Sequence, residues 1–182
     1  MTSPGIDHSG SRTRPGAGGG LMVRARRATV DDVPALVRLR GLMLADMGIE
    51  TGGADAPWRA ASARWFTEQM RRPDMFAAFL VDDPELGTVS SAVGACDVHA
   101  PSPANPSGLR GHVSNVSTDP RRRRRGHARV CLEALLTWFR EETRATIVDL
   151  NATGDGAALY ESYGFRAPRH PALQLRTGRA PR

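Results

Sequence analysis

The stretch Val113–Arg129, VSNVSTDPRRRRRGHAR, decides how this chain reads. Apolar and polar residues alternate from His112 to Thr118, which predicts a strand. Asp119-Pro120, five consecutive arginines and Gly126-His127-Ala128 follow. Ala128, Leu132, Leu135, Leu136 and Phe139 then repeat at helical spacing, and the pattern runs to Arg144. A strand therefore feeds a basic, glycine-containing turn that opens a helix. The unpaired N–H groups and positive dipole end of a first helical turn favour an anion. Gly126 and the small Ala128 are expected to let a ligand approach the backbone closely. Arginine adds forked, permanently charged donors that match phosphate.

Working outward, the apolar run Thr146–Leu150 reads as a buried strand, continued by Asn151-Ala152-Thr153. A short helix over 155–163 carries Leu159-Tyr160-Glu161 and is closed by Gly164-Phe165. Gly164 fits a left-handed helix-ending position, and Phe165 can fold back onto the sheet.

The spacing Pro120-x-x-Arg123-x-x-Gly126-x-Ala128 resembles the acyl-CoA signature of the GCN5-related N-acetyltransferases, Arg/Gln-x-x-Gly-x-Gly/Ala. The strand, the Leu-Tyr-Glu helix and the closing Gly-Phe resemble a second element of that family, in the right order. The resemblance extends over about Val23–Leu175 and is sharpest in Val113–Ala128 and Asn151–Phe165. It implies an α/β fold of the α+β type. A central mixed sheet of six to seven strands would be flanked by helices, with a splay between the strands at 112–118 and 146–151.

The implied activity is transfer of an acetyl group from acetyl-CoA to a primary amine, without a metal. The turn would hold the CoA pyrophosphate on Arg123, Arg124, Arg125, Gly126, His127, Ala128 and Arg129. Val116, Ser117, Thr118 and Asn151 would follow the pantetheine arm, and the N–H near Val116 could polarise the thioester carbonyl. The tyrosine of Leu-Tyr-Glu, here Tyr160, is expected to protonate the leaving thiolate, and Tyr163 is the poorer candidate. A general base is expected on the strand before the phosphate-turn strand. Asp97 and His99 share a face there by alternation, and His112 and Asn115 on the next strand are further candidates. The loop from Asp46 through Glu50 to Asp55, followed by Trp58, falls where the family forms its substrate wall. Its acids could attract a cationic amine. His127 departs from the aliphatic residue usual at its position, which keeps a noncatalytic CoA-binding module open as an alternative.

The remaining chain completes the order. Val23–Arg26 reads as a first strand. Thr29 caps a helix whose apolar positions run from Val33 to Met47, and Gly48 ends it. Trp58–Arg72 reads as a second helix, and Met75–Val81 and Thr88–His99 as a hairpin. Ala100–Gly111 reads as a loop, and Leu173–Arg176 as a last strand. Residues 1–21, rich in Gly, Ser, Pro and Arg, read as a disordered tail, 22–176 as one domain, and 177–182 as a loose end.

The chain has 182 residues, 25 arginines, no lysine and a formal net charge of +6. The positive charge is uneven. Residues 121–129 hold six arginines and no acid, whereas residues 28–120 hold seven arginines against twelve acids, a net of −5. An anionic cofactor on one side and a cationic acceptor on the other would suit that division. A nucleic-acid patch is the rival reading of the arginine run, but no aromatic residue interleaves with it. The two cysteines, Cys96 and Cys131, show no metal spacing and read as buried thiols in a cytoplasmic protein. No apolar run is long enough for a membrane span. Homodimers are frequent in the resembling family, so a homodimer is allowed for.

Overall fold

The computed structural model describes residues 23–178. The expected N-terminal tail and residues 179–182 of the expected C-terminal tail lie outside them.

Five strands form one mixed sheet: β1 (Arg26–Arg27), β2 (Phe76–Asp83), β3 (Gly87–Val98), β4 (Leu109–Thr118) and β5 (Ile147–Leu150). They lie in sequence order. The first four are antiparallel neighbours, and β5 joins β4 in parallel. The four helices are α1 (Val33–Asp46), α2 (Pro57–Gln69), α3 (His127–Glu141) and α4 (Ala157–Ser162). Asp32 accepts a hydrogen bond from the Thr29 N–H (2.8 Å) and anchors the 3₁₀ turn that leads into α1.

Each face of the sheet has its own core, as a layered α/β domain requires. On one side Leu36 and Val37 of α1 and Phe66 of α2 pack on Phe76, Leu80 and Val93. On the other, Leu132, Leu135 and Phe139 of α3 pack on Val81, Ala92 and Val113. There the Phe139 ring lies directly on the backbone of β4. A Cβ at Gly111 would come within 2.5 Å of it, so the close helix–sheet approach needs glycine.

Four expectations are corrected. The sheet has five strands rather than six to seven. Residues 173–176 are not a strand but irregular, with Leu173 and Leu175 almost fully exposed. Pro168 and Pro171 precede that segment and cannot donate to a ladder. The first strand is only Arg26–Arg27, and the loop before β4 ends at Gly108 rather than Gly111.

Two irregularities of β4 shape the space beside it. Its pairing with β5 runs from Arg110↔Ile147 to Val113↔Leu150 and stops there, which opens the expected splay. From Ser114 to Thr118 the edge of β4 that would face β5 has no strand partner among the described residues. The register with β3 also shifts. Ser91 pairs with Ser117 and Val93 with Ser114, so Asn115 and Val116 together oppose Ala92. Asn115 takes up this bulge with φ 47°.

Candidate active site

The splay leads into a cleft of about 800 Å³. One wall is β4 from Val113 to Thr118, the floor is the turn around Arg123 and Arg124 with His127 and Ala128, and the far wall is Asn151, Thr153, Leu159 and Tyr160. The turn owes its form to two left-handed residues, Arg124 (φ 60°) and Gly126 (φ 79°). Successive N–H groups in such a path form an anion-binding concavity, and here it opens directly into the first turn of the 15-residue α3. Gly126 serves by conformation rather than by leaving space: a Cβ there would meet nothing within 4 Å.

The five arginines divide. Arg121 holds Asp119 (2.9 Å), Arg122 holds Asp83 (2.6 Å) and Glu85 (2.5 Å), and Arg123 holds Asp46 and the Thr118 carbonyl. Asp119 is buried, and the adjacent Arg121 guanidinium holds its carboxyl well below the usual carboxylate range. Arg122 likewise pulls Asp83 down to about 2. Arg124 and Arg125 have no acidic partner among the described residues. The acids of the first half of the chain thus neutralise the front of the arginine run and fix the turn. Asp46, expected at the acceptor, is spent on Arg123. Glu50 is exposed and lines neither this cleft nor the pocket between α1 and α2.

The other expected cofactor residues are distributed unevenly. Ser117 turns its hydroxyl to the Leu39 carbonyl (3.0 Å) and Thr118 to Ser90 (2.9 Å), so these two offer the cleft mainly backbone. Arg129 packs over the Tyr163 ring, outside the cleft. His127 is 7 % exposed, and neither ring nitrogen has a hydrogen-bond partner among the described residues. Burial pushes its ring below the usual histidine range, so it is held neutral.

Tyr160 lines the cleft, and its hydroxyl makes no hydrogen bond among the described residues. Burial raises its phenol above the usual value, which keeps the proton on. Tyr163, by contrast, donates to Glu133 (2.6 Å) on α3. Both cysteines are free and buried, and burial pushes Cys131 up to about 12, an unreactive thiol.

Across β4 a second pocket of about 550 Å³ lies between α1 and α2. Trp58, Trp65 and Phe66 of α2 wall it, together with Arg40 of α1. Trp58 is fixed by its indole N–H on the Thr51 carbonyl (2.7 Å). Ser114 and Asn115, at the bulge, border both cavities, so the two adjoin there, beside the unpaired edge of β4. On this same face, two residues before Ser114 and so about 7 Å along the strand, His112 holds Asp149 of β5 through Nδ1 (2.6 Å). Arg110 braces the same carboxylate (3.2 Å).

Asp97 and His99 are elsewhere. Both are exposed at the far end of β3, where Asp97 pairs with Arg110, about 17 Å along the strand from Asn115. Neither lines a wall of the two cavities. Three residues escaped sequence reasoning: Arg40, Trp65 and Asp149. Two carried a signal. Arg40 stands four residues after Leu36 on the apolar stripe of α1, and Asp149 interrupts an apolar strand.

Comparison with known proteins agrees with this geometry. The family model described as acetyltransferase (GNAT) family matches residues 48–165. The chain therefore belongs to the GNAT acetyltransferase family. No curated protein sequence matches it. Similar solved structures include a predicted acetyltransferase with acetyl-CoA from Clostridium acetobutylicum. It is 24 % identical with a TM-score of 0.74, over 85 % of this chain and 96 % of that one. A GCN5-related N-acetyltransferase from Ralstonia eutropha JMP134 is 20 % identical with a TM-score of 0.67, over 84 % and 98 %. Glucosamine-6-phosphate N-acetyltransferase from Arabidopsis thaliana is 16 % identical with a TM-score of 0.64, over 87 % and 99 %. At these identities the likeness is one of fold. No helix among the described residues is long and apolar enough to cross a membrane.

Proposed function

We propose that this protein transfers an acetyl group from acetyl-CoA to a primary amine by direct attack in a ternary complex. The observation that carries the proposal is the meeting of two cavities at Ser114–Asn115, one beneath an anion-binding turn and one among aromatic side chains. Two substrates brought together where the cavities adjoin gain most of the rate enhancement available from proximity.

Acetyl-CoA supplies the acyl group already activated as a thioester. The N–H groups of the turn at 124–128 hold its pyrophosphate, and the open edge of β4 pairs with its pantetheine amides. The Val116 N–H lies on that edge and polarises the thioester carbonyl. As the amine nitrogen bonds to the carbonyl carbon and the C–S bond breaks, Tyr160 donates its proton to the sulfur. His112 lines neither cavity itself, but it stands two residues before Ser114 on the same face with Nδ1 committed to Asp149, and it takes the proton from the amine through water. Trp58 forms part of the acceptor wall. Asp97 and His99 have no part in this scheme, because of their distance from that junction.

The pairing of Arg121, Arg122 and Arg123 with acids weighs against a nucleic-acid surface, since a paired guanidinium offers a phosphate backbone little net charge. The direct test is calorimetric titration of acetyl-CoA, followed by a thiol-release assay over a panel of amines. Binding together with amine-dependent release of CoA is expected. A folded protein that binds no acetyl-CoA overturns the proposal, and one that binds it but turns over no amine supports the noncatalytic alternative.

A further inference from the structure

We infer that the acceptor is an α-amino carboxylate with an apolar or aromatic side chain, its carboxylate resting on Arg40 between α1 and α2. The inference deepens the acetyltransferase reading and rests on it. Among the described residues, Arg40 is the one charged side chain lining the acceptor pocket. Its Nη1 donates to the Asn115 side-chain carbonyl (2.6 Å), a neutral partner. No carboxylate lies within ion-pair distance of Arg40 among the described residues; other arginines, Arg124 and Arg125 among them, are likewise unpaired, but they do not line this pocket. Its guanidinium is half-buried, and burial lowers its pKa with no acid to offset the loss of water. A partly desolvated cation with only one neutral partner and spare N–H donors suits an anion, and the planar fork matches a carboxylate.

The position of Arg40 narrows the class. Because it is bonded to Asn115, its guanidinium sits where the pocket adjoins the cleft, not at the pocket's far end. The anionic group must therefore lie beside the reacting nitrogen, as the carboxylate and amine of an α-amino acid do. The rest of the pocket carries no charge and is dominated by Trp58, Trp65 and Phe66, with Ala61, Ser62, Ser114 and Asn115 completing the lining. Trp65 lines the pocket, is 45 % exposed as a residue, and is held edge-to-face by Phe66 (5.2 Å) and Phe76 (5.6 Å), an apolar surface that suits an apolar or aromatic side chain. No acid among the described residues lines the pocket, so a polyamine would find no partner for its extra charges.

The test compares L-phenylalanine, phenethylamine (the same amine without the carboxylate) and spermidine, both by calorimetric binding and by thiol release with acetyl-CoA. L-phenylalanine is expected to bind and to be acetylated at least about tenfold more efficiently than phenethylamine, the scale of one charge-assisted hydrogen-bonded contact. Arg40→Gln should erase that margin while leaving acetyl-CoA affinity unchanged. Ser62→Asp, on the pocket wall, places a like charge near the carboxylate and should turn the preference toward phenethylamine. It decides the matter if Arg40→Gln does not fold. Phenethylamine or spermidine equalling L-phenylalanine, or unchanged selectivity in either folded variant, overturns the inference while thiol release preserves the acetyltransferase reading. Arg40-dependent binding of L-phenylalanine without thiol release from any amine does the reverse.

Discussion

The two cavities that meet at Ser114–Asn115 are built by different means. The cleft beneath the turn at 124–128 is made of backbone: left-handed residues at Arg124 and Gly126, the first turn of α3 and the unpaired edge of β4. The pocket between α1 and α2 is made of side chains, with Arg40, Trp58, Trp65 and Asn115 brought in from three elements. A backbone cradle reads the part of a ligand that never changes. A side-chain pocket can be rewritten residue by residue, so it is where a family sharing one cofactor diversifies its acceptors.

The contrast can be broken most sharply at the junction itself. Tyr160→Phe keeps the ring's packing and removes only the hydroxyl. It should lower kcat by about 10²–10⁴-fold with acetyl-CoA affinity preserved, and wild-type turnover under chemistry-limited conditions would give the proton donor's place to water. His112→Gln should lower kcat by about 10–10²-fold. Asp149→Asn should do the same, because the pair acts as a unit, so additive losses in the double variant would separate them.

On the cofactor side the expected effects are smaller and distinguish backbone from side chain. Gly126→Val forces a β-branched residue into a left-handed path, and acetyl-CoA affinity should fall about tenfold or more. Arg124→Gly keeps that path and removes the side chain. Affinity should then fall by no more than about threefold, the scale of one exposed charge. If the glycine variant loses more than the valine variant, the cradle is electrostatic rather than conformational.

The smallest effect concerns stability. His127 is held neutral by burial, whereas in the unfolded chain it titrates at its ordinary value of 6.5. The unfolded state therefore binds more protons as pH falls below about 6.5. The folded state should lose stability as pH falls from about 6.5 to the lowered folded-state value, and this group makes no difference well above 6.5. His127→Leu should remove that slope and, by relieving two unpartnered buried nitrogens, stabilise the fold by roughly 1 kcal/mol. Thermal melts of both proteins at pH 7.5 and 5.5 measure it, and parallel slopes would mean that another group carries the acid sensitivity.

The sequence by itself determined what is local. A basic Gly-containing turn between strand and helix specifies its own backbone, because a left-handed φ is a property of a few adjacent residues. The turn with its cleft and the Tyr160 helix were legible for that reason, and so was the order of the main elements. The strand count was overestimated because alternation at 173–176 signals only a willingness to pair, while pairing needs a neighbour. The pocket proposed for the acceptor was decided by tertiary structure alone. Arg40 meets Asn115 across 75 positions and His112 meets Asp149 across 37. Asp46, read as an acceptor acid, finds Arg123 across 77. Charge totals along the chain suggested an acidic side facing a basic one, but folding brought those acids onto the arginines. A charge acts through the partner that the fold sets beside it, and no count along the sequence contains that distance.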